Sequence, residues 1–486
     1  MRVQAAQESH WQQHCWAVSA YTHCTCPTRG ERSCRHLRGW PLIALRHFIN
    51  PPRAVVALFL IAIAAGTALL SLPVSRTGPE AAPLMVAIFT ATSAVCVTGL
   101  TIVDTGTYWS PFGQGVILAL FQLGGFGMMT AATLLAVLVS RSVRLSARLA
   151  AQTESHVLAL GDVVGVARTV LGVTLVVESV VAVMLTARLA LGHGLAWPQA
   201  LWSGIFHAVS AFNNAGFSIH EDSLTRYASD AWVLLPVMLA IVGAGIGFPV
   251  YYDLKQRYRT PRRWSLHTKL TLLGSGLLLL LGFVMIAAAE WSNPRTLGAM
   301  PWPDRLLNAA FASVSARTAG FNTVDIGALT HEAVGLHYLL MFVGGGTGGT
   351  AGGVKVGTAM VLLAIVYAEV LGRPDAEVFG RRISAATQRQ AITVLVLASA
   401  TVSVGTLAIL AMTDHAVDRV IFEVISAFAT VGLTTGITQE LPAGAQGVLV
   451  LLMILGRVGT VTLAVALLLS GRRLSYRYPE EAPLVG

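Results

Sequence analysis

Four short segments of the chain share one pattern, in which small or polar residues lead to a glycine. The glycines are Gly99, Gly216, Gly320 and Gly432, and they recur at a near-constant spacing of more than a hundred residues. The fourth segment, Thr-Val-Gly-Leu-Thr from Thr430, is close to the Thr-Val-Gly-Tyr-Gly loop that lines potassium filters. Backbone carbonyls in such loops replace the hydration shell of a monovalent cation. The segments therefore predict one pore that is closed by four loops of a single chain.

The last three residues of each segment are the candidate ion site, and we expect their backbone carbonyls to bind K⁺. They are Val97, Thr98 and Gly99 in loop 1; Asn214, Ala215 and Gly216 in loop 2; Thr318, Ala319 and Gly320 in loop 3; and Thr430, Val431 and Gly432 in loop 4. Glycine suits the final position because it adopts positive φ without steric cost, which lets successive carbonyls face the same way. The alternative is that each glycine only lets helices pack closely, as small residues do in membranes.

The composition of the chain indicates that the bilayer is its solvent. Of the 486 residues, 54% are hydrophobic and 12% are charged, whereas soluble domains carry about 25% charged residues. A secretory signal peptide is not evident. The first long apolar run, at 54–72, is long enough to cross a membrane.

The elements that must position the four loops form four repeats, each of one span, one short helix, one loop and one span. The short helices are predicted at 84–94, 198–211, 302–315 and 416–428. About twelve residues cannot cross a hydrocarbon core about 30 Å thick, so these helices must be re-entrant. Extended backbone is tolerated at that depth only where protein buries it or where it lines a wet cavity.

The fold class that follows is an all-α integral membrane protein with eight transmembrane helices around one central, potassium-channel-like pore. The spans are predicted at 54–73, 112–139, 163–190, 231–251, 268–290, 334–371, 390–412 and 443–470. The domain bounds are a tail at 1–45 and pore repeats at 46–145, 146–260, 261–380 and 381–486.

The chain has a net charge of +9, and after the tail most of its charged residues lie in the connections between spans. Basic residues occupy every second connection: Arg141, Arg144, Arg148; Lys255, Arg257, Arg259, Arg262, Arg263, Lys269; Arg373, Arg381, Arg382, Arg389; Arg472, Arg473, Arg477. The other connections carry acids: Asp104; Glu221, Asp222, Asp230; Asp325, Glu332; Glu440. The positive-inside rule places the basic set in the cytoplasm. This distribution also argues against nucleic-acid binding.

A glycine-rich segment, Gly344–Lys355, interrupts the second span of the third repeat. Its glycines are Gly344, Gly345, Gly346, Gly348, Gly349, Gly352 and Gly353. A phosphate-binding loop would need Ser or Thr after Lys355, where the chain has Val356. Each glycine costs a helix about 1 kcal/mol relative to alanine. We predict a broken, mobile segment below the filter, and a static kink is the alternative.

Arg457 lies inside the last predicted span, between two apolar runs. A charge at that depth costs about 2.5–3.5 kcal/mol even on insertion scales, so we expect Arg457 to face a water-filled pore. There it would repel passing cations and anchor carbonyls of the glycine-rich segment. The alternative is an ion pair with Glu178 or Glu423. Glu423 could instead brace the fourth loop from behind through hydrogen bonds.

The tail is rich in cysteine and histidine, with Cys15, Cys24, Cys26 and Cys34 beside His10, His14, His23 and His36. That density is compatible with zinc, but the spacing fits no established zinc pattern. No disulfide framework is implied. The fifth cysteine, Cys96, is predicted to be a small packing residue.

Six segments together resemble the Trk/Ktr/HKT superfamily of potassium transporters, from about residue 50 to the C-terminus. They are Gln122–Thr130, Phe212–Ser218, Ser265–Lys269, Arg317–Thr323, Thr430–Thr434 and Gly456–Gly459. The eight-span layout and the ending after Tyr476 look more like the bacterial Ktr-type membrane subunit than the Trk branch. The first forty residues match nothing in that superfamily.

The resemblance implies a potassium uptake subunit in the plasma membrane of a bacterium, multi-pass and homodimeric, with one pore per protomer. It implies that Gly344–Lys355 is a gating loop, controlled by a cytoplasmic RCK-type ring of regulatory subunits that binds the nucleotide, with none on this chain. Glycine in all four loops resembles the potassium-permeable members, since the sodium-selective branch often carries serine at the position of Gly99. Coupling to Na⁺ and coupling to H⁺ stay open.

Two other classes fit less well. A secondary carrier would bind its solute at the midplane, often between inverted repeats, whereas these repeats are parallel. An intramembrane enzyme would need clustered nucleophiles, bases or metal ligands, and the spans contain no His-x-x-x-His, paired aspartates or Gly-x-Ser-x-Gly. The chain is therefore predicted not to be an enzyme.

Overall fold

The computed structural model describes residues 51–127 and 162–459. The predicted tail at 1–45 lies outside these ranges, as do the later parts of the predicted spans 112–139 and 443–470. The described residues are mostly helical. Their only paired strands are β1 (Glu377–Val378) and β2 (Arg381–Arg382), which form a two-residue antiparallel hairpin. The all-α prediction is corrected by this small hairpin alone.

Four short helices lie where the repeats predicted them. They are α2 (Leu84–Val95), α5 (Trp197–Asn213), α9 (Trp302–Ser315) and α13 (Val417–Phe428). Proline occupies the cap or the first positions of the first three, where a missing N–H costs nothing. The second half of each helix is almost fully buried. Each short helix therefore points its carboxyl end into the interior of the protein.

Ten further helices of ten residues or more lie before and after them in the described chain. They are α1 (Pro51–Leu70), α3 (residues 111–127), α4 (Asp162–Gly192), α6 (Ala231–Ile246), α7 (Phe248–Arg257), α8 (Leu266–Glu290), α10 (His331–Phe342), α11 (Val356–Val370), α12 (Ala385–Leu410) and α14 (Ala443–Ile454). A π-helical turn, Leu455–Gly459, follows α14.

Within the described ranges, three helices are long and apolar enough to cross a membrane, or four if α6 and α7 count as one span. They are α8, α12 and most of α4. The eight-span layout stays a prediction, because α10 and α11 are separate short helices and the ends of α3 and α14 fall outside the described residues.

The predicted span at 231–251 is broken by a sharp bend. The chain bends by 89° between α6 and α7. Gly247 stands at the bend with φ +95, a conformation that favours glycine. Pro249 follows in the first turn of α7, where it removes one N–H that a continuous helix would have used.

The predicted interruption between α10 and α11 is confirmed. Between Phe342 and Val356 the chain is not helical. The end of this stretch lies beside its beginning. The Gly344 N–H donates to the Val354 carbonyl (2.9 Å), and the Val354 N–H donates to the Phe342 carbonyl (3.1 Å). The glycine-rich segment is thus a loop closed at its base by hydrogen bonds between its two ends.

Candidate functional site: a ring of four loops above a glycine-rich segment

The structure brings the four predicted glycines together in a closed ring. A Cβ built on Gly99 would come within 3.0 Å of the Ala215 carbonyl oxygen of loop 2. In the same way Gly216 faces loop 3, Gly320 faces loop 4, and Gly432 returns to loop 1. Residues far apart in sequence therefore meet, and no side chain fits at any of the four positions.

The backbone of each loop alternates in handedness. All four glycines have positive φ, between +69 and +95. The residue two places before each glycine is also left-handed: Val97, Asn214, Thr318 and Thr430 have φ from +51 to +70. Asn tolerates this region, but a β-branched residue there costs of order 1–3 kcal/mol. Three loops thus hold a strained residue at the same place, which the surrounding structure must support.

The amide before each glycine points back to the short helix. The Thr98, Ala215 and Val431 N–H groups donate to the carbonyls of Ser93, Ser210 and Ser426 at 2.7–2.8 Å. The Ala319 N–H donates to the Ser315 carbonyl at 3.0 Å. These bonds use the N–H groups and leave the carbonyls of the same residues unoccupied.

Within the described residues, none of the twelve predicted site carbonyls accepts a hydrogen bond from the protein. Eleven of the twelve residues are buried, and Gly216 is half-buried. More than about 90% of buried backbone groups in proteins have a partner. These carbonyls are therefore uncommitted acceptors among the residues that the structure describes.

Serine hydroxyls fasten three of the loops from behind. Ser210 donates to the Phe217 carbonyl (2.8 Å), Ser426 donates to the Leu433 carbonyl (2.6 Å), and Ser315 donates to the Phe321 carbonyl. In the third repeat this serine stands one position later than the aligned residue, Val314. The bonding serine of the third repeat therefore does not occupy the position that the sequence alignment of the four segments gives it. The aligned Ser93 hydroxyl has no hydrogen-bond partner in the described chain.

Glu423 makes the bracing contacts that the sequence predicted. Its carboxylate accepts hydrogen bonds from the Thr434 hydroxyl (2.7 Å), the Thr435 N–H (2.8 Å) and the Thr438 hydroxyl (2.6 Å). The side chain is fully buried on α13. It fixes the chain that leaves loop 4.

A second brace, behind loop 2, was not predicted. The Asn213 amide donates to Glu178 Oε1 (3.1 Å) and to Gln122 Oε1, and the Gln122 amide donates to Glu178 Oε2 (3.2 Å). These residues come from α5, α4 and α3. The signal in the sequence was a buried glutamate in an apolar span, which was considered only as a partner for Arg457.

The glycine-rich segment packs by its backbone against the bend between α6 and α7. A Cβ on Gly345 would reach the Gly245 carbonyl at 2.6 Å, and one on Gly346 would come closer still to the Ile246 carbonyl. A Cβ on Gly352 would strike Ala429 and Thr430 of loop 4. The segment therefore lies directly against both the bend and the ring.

Arg457 is buried and donates to the Thr350 carbonyl of the segment. No carboxylate lies within 4.0 Å of it among the described residues, and Glu178 and Glu423 are bonded elsewhere. The ion-pair alternative is wrong. Lys355 donates to carbonyls within the same segment, those of Ala351 and Gly352.

Arg317 was not predicted to matter, although it directly precedes the site residues of loop 3. Its guanidinium donates to the Gly344 carbonyl at 3.3 Å and to Ser275 on α8. A charge in one loop, where the other three are neutral, was the signal that could have found it.

On the outer side of loop 2, polar residues hold the connection to α6. The Arg188 side chain (Nε) donates to Asp230 at 2.8 Å, and the Trp232 N–H donates to the same carboxylate at 3.0 Å. Burial alone raises the pKa of Asp230, but the hydrogen bonds from Arg188, His193 and Trp232 bring it below its ordinary value. Burial and the charge of Arg226 lower the pKa of His220 to about 4.

No group of three or more His, Cys, Asp or Glu side chains that could hold a metal ion occurs in residues 51–127 and 162–459. Cys96 is a buried free thiol, as a packing residue would be. The carbonyl oxygens of the four loops have no hydrogen-bond donor among the described residues, so they are free to act as ligands of a cation.

Comparisons with known proteins agree with this arrangement. A family model described as TrkH, cation transport protein, matches residues 44–472. Ktr system potassium uptake protein B of Bacillus subtilis is 36% identical over 90% of this chain and 97% of that protein. Potassium/sodium uptake protein NtpJ of Enterococcus hirae is 34% identical over 91% of this chain and 98% of that protein. The crystal structure of the potassium transporter TrkH from Vibrio parahaemolyticus has a TM-score of 0.64 at 18% identity, covering 87% of this chain and 85% of that one.

Proposed function

This chain belongs to the TrkH family of cation transport proteins, and from that premise we propose that it forms a potassium-selective pore through the ring of four loops. It is a membrane transport protein and not an enzyme. The pore would be lined by the carbonyls of the twelve residues that end the loops, within four span–short helix–span repeats and eight spans. K⁺ is then the transported substrate rather than a resident cofactor.

The observation that carries the proposal is the set of twelve loop carbonyls, eleven of them on buried residues, without hydrogen-bond donors among the described residues. A buried carbonyl without a partner loses about 1–3 kcal/mol. A dehydrated monovalent cation satisfies several at once, because carbonyl oxygens replace its hydration shell. The carboxyl ends of the four short helices add partial negative charge at the same place.

Glycine at every ring position supports potassium as the selected ion. A side chain at any one would displace the carbonyl of the neighbouring loop and change the size of the coordination cage. One relative is named for both potassium and sodium. The alternative mode of transport in this proposal is therefore potassium uptake coupled to sodium.

The glycine-rich segment is proposed as the gate, with Arg457 as its anchor. The segment lies against the ring at Ala429 and Thr430, and Arg457 donates to its Thr350 carbonyl. The glycines let the segment pack by its backbone, so few side chains need to move when the segment moves away from the ring. Deleting Gly345–Gly353 should therefore raise the open-state flux.

We further propose the assembly that the relatives' names suggest. One relative is named as part of a Ktr system, and for this chain we infer a homodimer in a bacterial plasma membrane with a cytoplasmic nucleotide-binding ring as its regulator. The basic connections between spans, such as that between α7 and α8, would face this cytoplasmic regulatory ring. No nucleotide is proposed to bind this chain.

The test is cation flux into proteoliposomes that contain this chain alone, with potassium and sodium compared at matched gradients. The proposal expects the intact chain to take up potassium in preference to sodium, and it expects a higher potassium flux after deletion of Gly345–Gly353. Flux of an organic solute, or no cation flux even after the deletion, would refute it. Circular dichroism and size-exclusion profiles identify preparations in which the deleted protein is not folded.

A further inference from the structure

One loop of the ring differs from the other three in charge. Three residues before the glycine, loop 3 has Arg317, whereas the equivalent positions hold Cys96, Asn213 and Ala429. Loop 3 is also the loop whose following span contains the glycine-rich segment. The two exceptional features of the chain are therefore neighbours in sequence, and the contacts show that they touch.

The Arg317 side chain bridges the ring and the segment. It donates to the Ser275 carbonyl and hydroxyl, both at 3.2 Å, and to the Gly344 carbonyl at 3.3 Å. A Cβ on Gly344 would in turn lie 3.3 Å from the Thr318 methyl. The first glycine of the segment thus contacts loop 3 through both the side chain of Arg317 and the residue that follows it.

The guanidinium is not fully satisfied by these contacts. Arg317 is 8% exposed, its Nε–H has no acceptor, and no carboxylate lies within 4.0 Å of it in the described ranges. A buried charge that is held only by neutral oxygens depends strongly on each of them. Loss of the Gly344 carbonyl would leave Arg317 with Ser275 alone.

A cavity of about 20 Å³ adjoins the same contact. Its walls include Arg317, Ser275 and Gly345, together with Ile241 and Gly245 of α6. That volume is enough for one water molecule. Gly345 forms part of the wall, so displacement of the segment would enlarge this space beside the guanidinium. A shift of Arg317 into it would act on the backbone of loop 3.

We propose that Arg317 is a positioning residue that couples the glycine-rich segment to loop 3, so that displacement of the segment alters ion selectivity as well as flux. The inference rests on the proposed pore and gate. Arg457 has a different part, because it lies after α14 and holds the segment at Thr350 without touching loop 3. Arg317 holds the first residue of the segment, Gly344, by its carbonyl.

A double-mutant cycle tests the coupling. Arg317→Gln is made in the intact chain and in the chain lacking Gly345–Gly353, and the ratio of potassium to sodium flux is measured in proteoliposomes. In the intact chain we expect basal flux to rise about tenfold and the ratio to fall, because bonds to a charged group are lost. In the shortened chain the ratio should already be low, and Arg317→Gln should add little.

Equal changes of the ratio in both backgrounds would overturn the coupling and leave Arg317 as a support of loop 3 only. No change in either background would also overturn it. If the Gln variant is not recovered folded, the same cycle is run with Arg317→Lys, which keeps the charge but cannot make all three bonds. Absence of potassium flux from both the intact chain and the chain lacking Gly345–Gly353 would instead refute the proposed function before the cycle is reached.

The matched control is Arg305→Gln. Arg305 is on α9, the helix that leads to loop 3, and also donates to three backbone carbonyls, those of Met300, Trp291 and Gly298. It lies at the other end of that helix and touches neither the ring nor the segment. We expect its flux ratio to equal that of the parent chain in both backgrounds.

Discussion

The ring and the glycine-rich segment both depend on glycine, but for different physical reasons. In the ring all four glycines have positive φ, and each meets the carbonyl of the next loop. In the segment only Gly348 and Gly353 have positive φ, and most of the others make room for the backbone of α6 or of the segment itself. The ring uses glycine to set a conformation, whereas the segment uses it to allow close packing.

The two regions are also held in different ways. Behind the ring, serine hydroxyls bond to three of the loops, Glu423 holds the chain that leaves loop 4, and Asn213 ties the start of loop 2 to Glu178. The segment is held by a few backbone bonds and by single carbonyl contacts to Arg317 and Arg457. A heavily braced ring suits a fixed coordination cage, and a lightly held segment suits an element that moves. The same kind of substitution should therefore have opposite effects in the two regions.

The largest effect is expected in the ring, from Gly99→Ser. The new side chain would have to adopt φ +84 and would collide with Ala215 of loop 2. Two penalties of roughly 1–3 kcal/mol each would lower the potassium-to-sodium flux ratio by about a hundredfold. The control is Gly115→Ser on α3, where a Cβ meets nothing within 4 Å. An unchanged flux ratio in Gly99→Ser would contradict the assignment of the ring.

Gly346→Ala in the segment should have a smaller effect, which is a gain of basal potassium flux and not a loss of selectivity. The added methyl would collide with the Ile246 carbonyl and with Thr271, so the packed position of the segment becomes less stable. An overpacking cost of about 1–3 kcal/mol corresponds to roughly a tenfold rise in basal potassium flux. Gly357→Ala on α11, with open space around it, should leave flux unchanged. A fall in flux for Gly346→Ala would mean that the segment does not block the pore.

Loss of a brace should affect stability more than flux. Glu423→Gln removes the charge that accepts hydrogen bonds from Thr434, Thr435 and Thr438. We expect the free energy of unfolding to fall by about 1–3 kcal/mol, with a modest loss of selectivity. Thermal unfolding in detergent measures it against Glu440→Gln, an exposed glutamate. Equal melting of the two variants would show that loop 4 does not rely on Glu423.

The smallest effect is expected outside the ring, from Asp230→Asn. The pKa of Asp230 lies below its ordinary value of about 3.9. Its stabilisation is therefore complete above that value and is lost as the pH falls through the lower, folded-state pKa. The variant should be about 1 kcal/mol less stable at pH 7, because Arg188 loses its charged acceptor, and the difference should shrink as the pH falls below the ordinary pKa of an aspartate. Unfolding at several pH values, with exposed Asp414→Asn as control, would refute this if the difference did not depend on pH.

The sequence predicted the elements that repeat or interrupt a pattern. Loops 1 to 4 stood out because four independent segments agree, and Gly344–Lys355 stood out because so many glycines cannot remain helical. The short helices were placed within a few residues by their prolines and their length. Contacts made between backbones of different loops could be anticipated, since they need only glycine at the right place.

What the sequence did not predict depends on side chains that meet across the fold. The bend at Gly247 was missed because its apolar run is continuous, although Gly243, Gly245 and Pro249 surround it. The bond between Arg317 and Gly344 was missed because the guanidinium finds neutral carbonyl oxygens rather than a recognisable acid. Any residue offers such acceptors, so sequence patterns do not identify them.

The most direct measurement of the central claim is anomalous diffraction from crystals of this protein grown with rubidium in place of potassium. Rubidium is a heavier monovalent cation that carbonyl cages of this type should also hold. The account predicts anomalous peaks on the axis of the ring, within coordination distance of the carbonyls of Thr98, Ala215, Ala319 and Val431. Peaks elsewhere in the chain, with none inside the ring, would contradict it.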